Sequence, residues 1–528
     1  MAYQFRRKNN KTGITYVYEA VSFWDKEKNQ ARNKQICIGK LDPQTGDLIP
    51  SKRFVSQKEF LSDPTVTASA KVVGPFIVLD TLTERLGLEK LLKSSFPLIY
   101  QQILSMAYYL IARGGPLSHC EAWCKNHMHP FREPLASQRI TEILKAITVD
   151  GKQTFIKHWV NKVLEDDFIC YDITSISSYS KLNEFIKFGY NRDKEKLPQL
   201  NLAMLFGQKS CLPMYFQRMP GNITDVTTLR NLVKTFKFLE FRSFNFVMDK
   251  GFYSKENINS LLSSKNKLTI AIPLNKKWVQ EAIDDIHGTI HGPQGYRKLD
   301  NEILYTHSRL YRWEKNNRRC YLHLYYNAQQ RANAVDEFNE ELVTYKSELE
   351  SGQLIAAHQE AYDTFFVITT TPKRGTKISY NEAAVNQYIS RYSGFQVLLS
   401  NAIKDPVKAL QVYRDKDVVE KCFDDLKNQL DMKRLRMHSS ASVDGRLFVQ
   451  FIALILTSAL RRELRETNLI EKYTTRELLQ EMDTLTEVKY SGKYGSILTE
   501  VTKPQRQILK ALGIQLPNQD LVAKPPGN

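Results

Sequence analysis

The sequence has no apolar run long enough to cross a membrane. The longest, Leu447–Leu456, is broken by Gln450 and reaches only about half of the ~20 residues a transmembrane helix needs. The N-terminus reads MAYQFRRK over Met1–Lys8 and lacks the apolar stretch of a signal peptide. The expected location is therefore the cytoplasm, with no membrane partner. Cysteine is sparse: seven are scattered through 528 residues without a closely spaced even framework, which fits reduced thiols rather than disulfides. Acidic residues are outnumbered, 57 against 75 Lys and Arg, for a net charge of +18. With an isoelectric point near 9.3, the expected partner is a polyanion, nucleic acid before membrane. Charge alone does not choose between DNA and RNA. No internal repeat is visible, and no helix-turn-helix spacing stands out. At 42% apolar and 25% charged the chain is ordinary globular material, too long for one core and expected to form about three to five folded units.

The charge is uneven. Residues 1–60 hold twelve Lys and Arg against six Asp and Glu, so 12 − 6 = +6. Ile14–Phe23 and Asn33–Gly39 are rich in aromatic and β-branched residues, with turn signals at Asp42-Pro43 and Thr45-Gly46. Residues 1–73 therefore read as a small basic β-rich unit suited to DNA binding. Helical periodicity through Ile77, Leu79, Leu82, Leu86 and Leu88, then an apolar segment at Ile103–Ala112, marks a helical domain over 74–160, suited to DNA binding or dimerisation.

From 161 to 274 the pattern changes to strands at Phe168–Ser175, Leu200–Phe206, Leu212–Met219, Phe244–Met248 and Leu268–Pro273, with a helix at Thr227–Phe238. The order β, β-hairpin, α, β, α, β predicts an α/β core. Residues 275–395 lose that rhythm, holding short strands (Ile303–Thr306, Arg319–Tyr326, Thr364–Thr369) around a charged helix at Asn333–Glu350. They read as a β-rich inserted subdomain. Helix returns at Asp405-Pro406, an N-cap followed by Pro at the first helical position, and is expected to run to about Leu430. A more apolar helix covers Val443–Leu464 within 396–470, and 471–528 forms a C-terminal helical region with a frayed tail at Lys524–Asn528.

Asp172 interrupts a strand otherwise built of Phe, Ile, Cys and Tyr, and Asp249 ends the strand FNFVM. Strands disfavour Asp, and α/β sheets place their chemistry at strand ends. Two such carboxylates on neighbouring strands repel unless a cation lies between them. Mg²⁺ takes carboxylate oxygens, and a pair of ions is the usual device for in-line displacement at phosphorus. Either Asp could also be an ordinary turn cap or a solvated side chain. In the helix after Pro406, Tyr413, Lys416, Glu420 and Lys427 fall within one helical stripe, at offsets of 3, 7 and 14, which alone could be a solvated face.

Together these residues carry a resemblance. Tyr413-x2-Lys416-x3-Glu420-x6-Lys427 resembles the Tyr-x2-Arg-x3-Glu-x6-Lys signature of DDE transposases of bacterial insertion sequences, within the insertion-sequence-four superfamily. Tyr171–Ser175 resembles the first-Asp strand of that family and Asp249–Phe252 its second-Asp segment. Pro220-Gly221-Asn222 with Asp225 is similar to an element of the sixteen-thirty-four-like branch, which the basic β-rich N-terminus also resembles. The resemblance spans about 165–450.

It implies a ribonuclease-H-like catalytic core carrying a β-rich insert, split between residues 161–274 and 396–470. It implies Asp172, Asp249 and Glu420 as catalytic ligands of two Mg²⁺ ions, for which Mn²⁺ substitutes, with Asp424 in reserve. Tyr413, Lys416 and Lys427 would contact strand phosphates, joined by Lys250 and Arg436. Lys416 stands where the family usually has Arg, and Asp417 where Trp often follows. The implied activity is metal-dependent cleavage and strand transfer of double-stranded DNA, at terminal inverted repeats and a target, by a homodimer in a synaptic complex acting at the bacterial nucleoid. A host nuclease or resolvase on the same core, or a retired DNA-binding derivative, are the alternatives.

Three further signals are weighed. His119, Cys120, Cys124, His127 and His129 are zinc-ligand types, but without a Cys-x2-Cys pair at finger spacing they read as a helix-packing Cys pair beside surface histidines. Trp278 could stack on a displaced base, though a place in the core of the insert is favoured. Lys433, Arg434, Arg436 and His438, with Arg446 beyond, suit a phosphate track or a helix-end dipole partner.

Overall fold

The computed structural model describes residues 2–25, 30–51, 68–164, 168–180, 183–193, 195–238, 244–299, 302–313, 317–371, 375–436, 439–491 and 495–516. His438 and the tail Lys524–Asn528 lie outside them. The chain divides into two compact units, residues 1–70 with 488–497 and residues 71–487 with 498–528.

In the first unit β1 (Ala2–Lys8), β2 (Thr15–Asp25), β3 (Gln30–Leu41) and β4 (Leu48–Pro50) form an antiparallel sheet in chain order. Asp42 shapes the last turn, its Oδ1 accepting from the backbone N–H of Gln44 at 2.8 Å. Val17, Ala20 and Ile38 are buried, and Phe5 stacks on its cross-strand neighbour Tyr18. The expected β-rich character of this segment is thus present.

A short strand, β5 (Ala68–Val72), leads into six helices between Gly74 and Val163. Tyr100–Ala112 is buried on all sides from Gln102 onward. Hydrophobicity all round marks a helix inside a core. The thiols of Cys120 and Cys124 lie 3.7 Å apart and buried, as a packing pair would be. His129 departs from the surface position expected of it: it is fully buried, and its Nδ1 is 3.0 Å from Ser105 Oγ.

The central sheet is built from β6 (Phe168–Ser178), β7 (Gln199–Gly207), β8 (Pro213–Pro220), β9 (Asn245–Met248), β10 (Lys267–Ala271), β11 (Tyr296–Leu299), β12 (Glu302–Trp313) and β13 (Arg318–Tyr326). After the hairpin of β14 (Phe366–Thr371) and β15 (Gly375–Tyr380), β16 (Phe395–Ser400) returns to it, and β17 (Arg434–Leu435) adds a short pairing on β6. The order is β11-β12-β13-β16-β10-β9-β6-β7-β8. Strands β6, β7 and β8 are antiparallel neighbours, whereas β6, β9 and β10 run parallel. The protein is thus a mixed α/β structure around a large mixed sheet.

The stretch 275–395 does not stand apart as one subdomain. Its first strands continue the central sheet, β16 pairing with β10 on one side and β13 on the other. What has its own small core is the helical part around Phe338, Leu342, Phe365 and Phe366, with the β14–β15 hairpin packed on it through Ile378 and Tyr380.

The helix Ser440–Glu466 is long and apolar enough to cross a membrane, but 94% of its apolar window is buried inside the protein. Phe448 meets Phe96 and Phe155 of the helical region, while Phe451 meets Phe216 of β8. This helix therefore joins the helical layer to the sheet. Gly445 permits the closeness, since a Cβ there would lie 2.1 Å from the carbonyl oxygen of Leu144.

The same helix also holds a buried charge pair, Arg461 Nη2 with Asp425 Oδ1, and Asp425 is fully buried. Burial raises the Asp425 carboxyl above its ordinary pKa and Arg461 opposes the rise. Replacing Arg461 by Met should cost about 3–5 kcal/mol, the usual consequence of leaving one member of a buried pair alone. Because a carboxyl with a raised folded-state pKa loses stability as pH rises above its unfolded value, the defect should shrink toward pH ~4. Urea unfolding of Arg461→Met at pH 4 and pH 8 checks both, and Arg461→Met/Asp425→Leu should recover most of the loss.

Candidate active site

Strands β6 and β9 pair in parallel with Cys170 opposite Val247. Two residues further along stand Asp172, still within β6, and Asp249, one residue past the end of β9. Both carboxylates therefore sit near the same end of these two neighbouring strands. Asp172 Oδ1 accepts from the backbone N–H of Ile173 at 2.8 Å. Asp249 caps the turn Lys250–Phe252, its Oδ1 accepting from the Lys250 N–H at 2.7 Å. Burial pushes the Asp172 carboxyl up to about 6, against the pull of Lys416, the Ile173 N–H and Arg192, while Asp249 adds to the rise.

The expected single helix from Pro406 to Leu430 is two helices and a turn. Pro406–Arg414, capped by Asp405, ends before Asp415, Asp417–Asp424 follows from Lys416, and 425–429 is a π-helical turn. The one-stripe geometry therefore does not hold, yet three of its members still gather at the aspartates. The Tyr413 hydroxyl donates to Asp249 Oδ1 at 2.8 Å. Its proton is held tightly, because burial and then the Asp249 charge raise the phenol well above its ordinary range.

Lys416 Nζ donates to Glu420 Oε1 at 2.9 Å, with the lysine side chain 7% exposed and Glu420 60% exposed. Burial alone would lower the lysine pKa, but the charges of Asp172 and Asp249 together with Glu420 hold it above the ordinary value. Lys416, expected on DNA phosphates, thus lies buried against the acids.

Lys427 is turned elsewhere. Its Nζ donates to both oxygens of Asp193, at 2.7 and 2.8 Å. Asp424, the reserve ligand, is exposed and accepts from Asn428 Nδ2. Trp278 is half-buried, stacked on Tyr311 at 5.0 Å and donating to the Tyr253 hydroxyl at 3.2 Å, which is a packing role. Lys250 and Arg436 are exposed. In the basic run, Arg434 is committed to Glu195 and Tyr179, and Arg446 is buried beside Asp431.

Arg192 and Asp193, on the connection between β6 and β7, were not singled out by sequence. Arg192 Nη2 donates to both oxygens of Asp225, at 2.7 and 2.6 Å, and its charge reaches Asp172. Asp225 was flagged by the Pro220-Gly221-Asn222 element, and Gly221 has a structural reason: a Cβ there would meet the backbone oxygens of Gln199 at 2.1 Å and Lys187 at 2.6 Å. That close approach seats the connection bearing Arg192 and Asp193 against the end of β8.

The donor set of Asp172, Asp249 and Glu420 is all carboxylate oxygen, the chemistry Mg²⁺ prefers. Among the described residues, however, no three His, Cys, Asp or Glu side chains are drawn close enough to hold a metal ion. The donors thus fit a hard cation in kind, while Glu420 is paired with the Lys416 ammonium.

A family model described as the transposase DDE domain matches residues 164–456, more than half of the chain. The chain belongs to that family. Among solved structures, the cryo-EM synaptic complex of piggyBac transposase with hairpin DNA aligns with 66% of this chain at 10% identity and a TM-score of 0.33. The alignment spans 57% of the piggyBac chain. No curated protein matches.

The pairing of Lys427 with Asp193 makes a direct prediction. A double-mutant cycle with Lys427→Met and Asp193→Asn should give a coupling energy of about 0.5–3 kcal/mol in thermal or urea unfolding. Strict additivity would show that the pair does not brace the site.

Proposed function

We propose that this protein is a DDE transposase of a bacterial insertion sequence, which binds the terminal inverted repeats of its element, cleaves a strand at each end and joins the freed 3′ end to target DNA. The observation that carries this reading is the meeting of Asp172 in β6 and Asp249, just past the end of the parallel neighbour β9, with Tyr413 bonded to Asp249 and Lys416 bonded to Glu420. The strand order β8-β7-β6-β9-β10, three antiparallel strands followed by two parallel ones, supports a ribonuclease-H-like core. Family membership supports phosphoryl transfer.

In this reading Asp172, Asp249 and Glu420 hold two divalent ions, Mg²⁺ with Mn²⁺ as substitute. When bound, such ions neutralise charge and activate the attacking oxygen of an in-line displacement. The protein's own residues supply position. Tyr413 fixes the Asp249 carboxylate by its hydrogen bond, and Ile173 N–H orients Asp172. Arg192, locked on Asp225, lends positive charge beside Asp172. Exposed Lys250 and Arg436 are assigned to the DNA backbone, where each neutralised phosphate adds salt-dependent affinity. The basic sheet of residues 2–50 is assigned to end binding. Action as a homodimer in a synaptic complex in the bacterial cytoplasm follows from the resemblance to insertion-sequence transposases.

Asp172→Asn keeps the size and the Ile173 contact but removes the charge. It should abolish Mg²⁺-dependent strand cleavage of a terminal-repeat substrate while leaving its binding, measured by mobility shift, within about twofold. Wild-type-like cleavage by this variant would sink the assignment.

A further inference from the structure

Exposed aromatic side chains are concentrated in one place near the acids. Among the described residues the two most exposed are Phe188 and Tyr190, at 73% and 69%. Both belong to the connection between β6 and β7, as does exposed Tyr179. A single exposed ring is ordinary, but three on one short connection are a cluster. We infer that this connection is a stacking platform for unpaired bases of a DNA strand passing the acid site, with Phe188 and Tyr190 as its rings. The inference rests on the DNA-cleaving reading of the site and adds where the strand is held.

Three observations carry it. The first is that the rings stand on a fixed backbone. The N–H and carbonyl of Lys187 bond to the carbonyl and N–H of Gln199, both at 2.9 Å. The Tyr190 carbonyl accepts from Gln199 Nε2 at 2.8 Å and from Ser175 Oγ at 3.4 Å. Between the rings, Gly189 is pressed so closely on its neighbour that a Cβ would lie 2.1 Å from the Gly221 oxygen. A chain fastened before, between and after the rings cannot fold them into the core, so their faces stay in water until a ligand covers them.

The second is position. Ser175, which holds the Tyr190 carbonyl, lies three residues or about 10 Å beyond Asp172 along the strand. Arg192, two residues after Tyr190, is bonded to both oxygens of Asp225. A Cβ on Gly251, two residues past Asp249, would lie 3.0 Å from Asp225 Oδ2. The segment carrying the rings is thus joined to the surroundings of both aspartates.

The third is charge. β17 lies beside the end of β6, with Arg434 opposite Ser177 and Leu435 opposite Ser178. Lys433 and Arg436 next to it are exposed, and so is Lys187 beside Phe188. Arg434 Nη1 donates to the Tyr179 hydroxyl at 2.9 Å, which ties the basic run to the aromatic connection. Exposed rings interleaved with basic residues are the composition of surfaces that track single strands. Stacking needs a base face, which a duplex hides, so the occupant is an unpaired segment and not the intact duplex.

The test uses full-length protein and three probes of about 20 nucleotides, the scale of single-strand sites: oligothymidine, an abasic strand of equal length and duplex DNA. Affinities are read by fluorescence anisotropy at one salt concentration. Phe188→Ala and Tyr190→Ala should each weaken oligothymidine binding about tenfold, the usual loss when one base–ring stack is removed. Binding of the abasic strand and the duplex should stay within about twofold, because phosphate contacts are untouched. Phe188→Trp keeps a stacking face and should bind oligothymidine as wild type does. Both alanine changes are at exposed positions and should leave the melting temperature unchanged. Alanine variants that bind oligothymidine like wild type, or lose all three probes equally, overturn the platform and leave the cleavage reading standing. So does wild-type protein that binds duplex but not oligothymidine. Loss of self-association in sedimentation, with oligothymidine binding intact, would place a second copy of the chain on the rings and overturn the inference as well. Wild-type protein that binds none of the probes overturns the DNA reading and the inference with it.

Discussion

Two like charges near the same end of neighbouring parallel strands are the constraint on which the rest of this structure depends. The charge of Asp249 adds to the rise of the Asp172 carboxyl, behind the effect of burial. Asp172 and Asp249 follow closely on the β6–β9 pairing that ends at Cys170 and Val247, and β6 cannot slip to relieve their repulsion. It is paired to β7 on its other side through nine residues, from Ile169 to Ser177. A slip of one residue would turn every side chain of β6 to the opposite face. The repulsion therefore has to be met by charge brought from elsewhere in the chain, and each neighbouring element brings some. Lys416 comes from the joint of two helices, Arg192 from the β6–β7 connection, and a neutral hydrogen bond from Tyr413.

Bringing those groups to the sheet requires that the helices carrying them be fixed in turn. The Pro406–Arg414 helix is tied down at its far end, where Gln208 Nε2 on the β7–β8 turn donates to the carbonyl of Val412 at 2.7 Å. The Asp417–Asp424 helix is tied through the π-helical turn after it, whose Asp425 is locked to Arg461 and to Gln429. Arg461 belongs to the core helix Ser440–Glu466, so the position of Glu420 is coupled, five residues on, to a largely buried helix. A side chain that has to meet charge within a few tenths of an ångström is here supported by apolar packing and one buried ion pair rather than by a loop.

What could be read from the sequence, and what could not, follows from the range of the interactions. The core strands were legible because buried strands are short, nearly continuous apolar runs, as in LNLAMLF. Asp172 was legible because a carboxylate breaks such a run. The break at Asp415-Lys416 was not, since neither residue opposes helix and neither Gly nor Pro marks the place. The helix ends there as Lys416 turns beneath the acids, and that cause is tertiary. The Lys427–Asp193 pair joins residues 234 apart in sequence, and nothing local announces it. Strand β12 was read as four residues and runs for twelve, because its second half, HSRLYRW, mixes polar and charged residues whose burial depends on β13. His129 looked like a surface residue for the same reason: its partner, Ser105, lies 24 residues away in the helix Tyr100–Ala112.

The same distinction changes how the +18 net charge should be understood. Near the acids, most basic side chains are already matched by acids of the protein itself: Arg192 by Asp225, Lys427 by Asp193, Arg434 by Glu195, Arg446 by Asp431 and Arg461 by Asp425. These pairs shape the site and add little to the field a distant polyanion would feel, because paired charges of opposite sign cancel within a Debye length of roughly 8–10 Å. In the proposed reading, the excess that steers an incoming strand is carried by exposed residues such as Lys250, Lys433 and Arg436, and by the N-terminal unit. Steering and positioning are thus assigned to different basic residues, and Lys416 belongs to the second group. Its charge faces inward, toward Glu420, which it contacts, and toward the charges of Asp172 and Asp249.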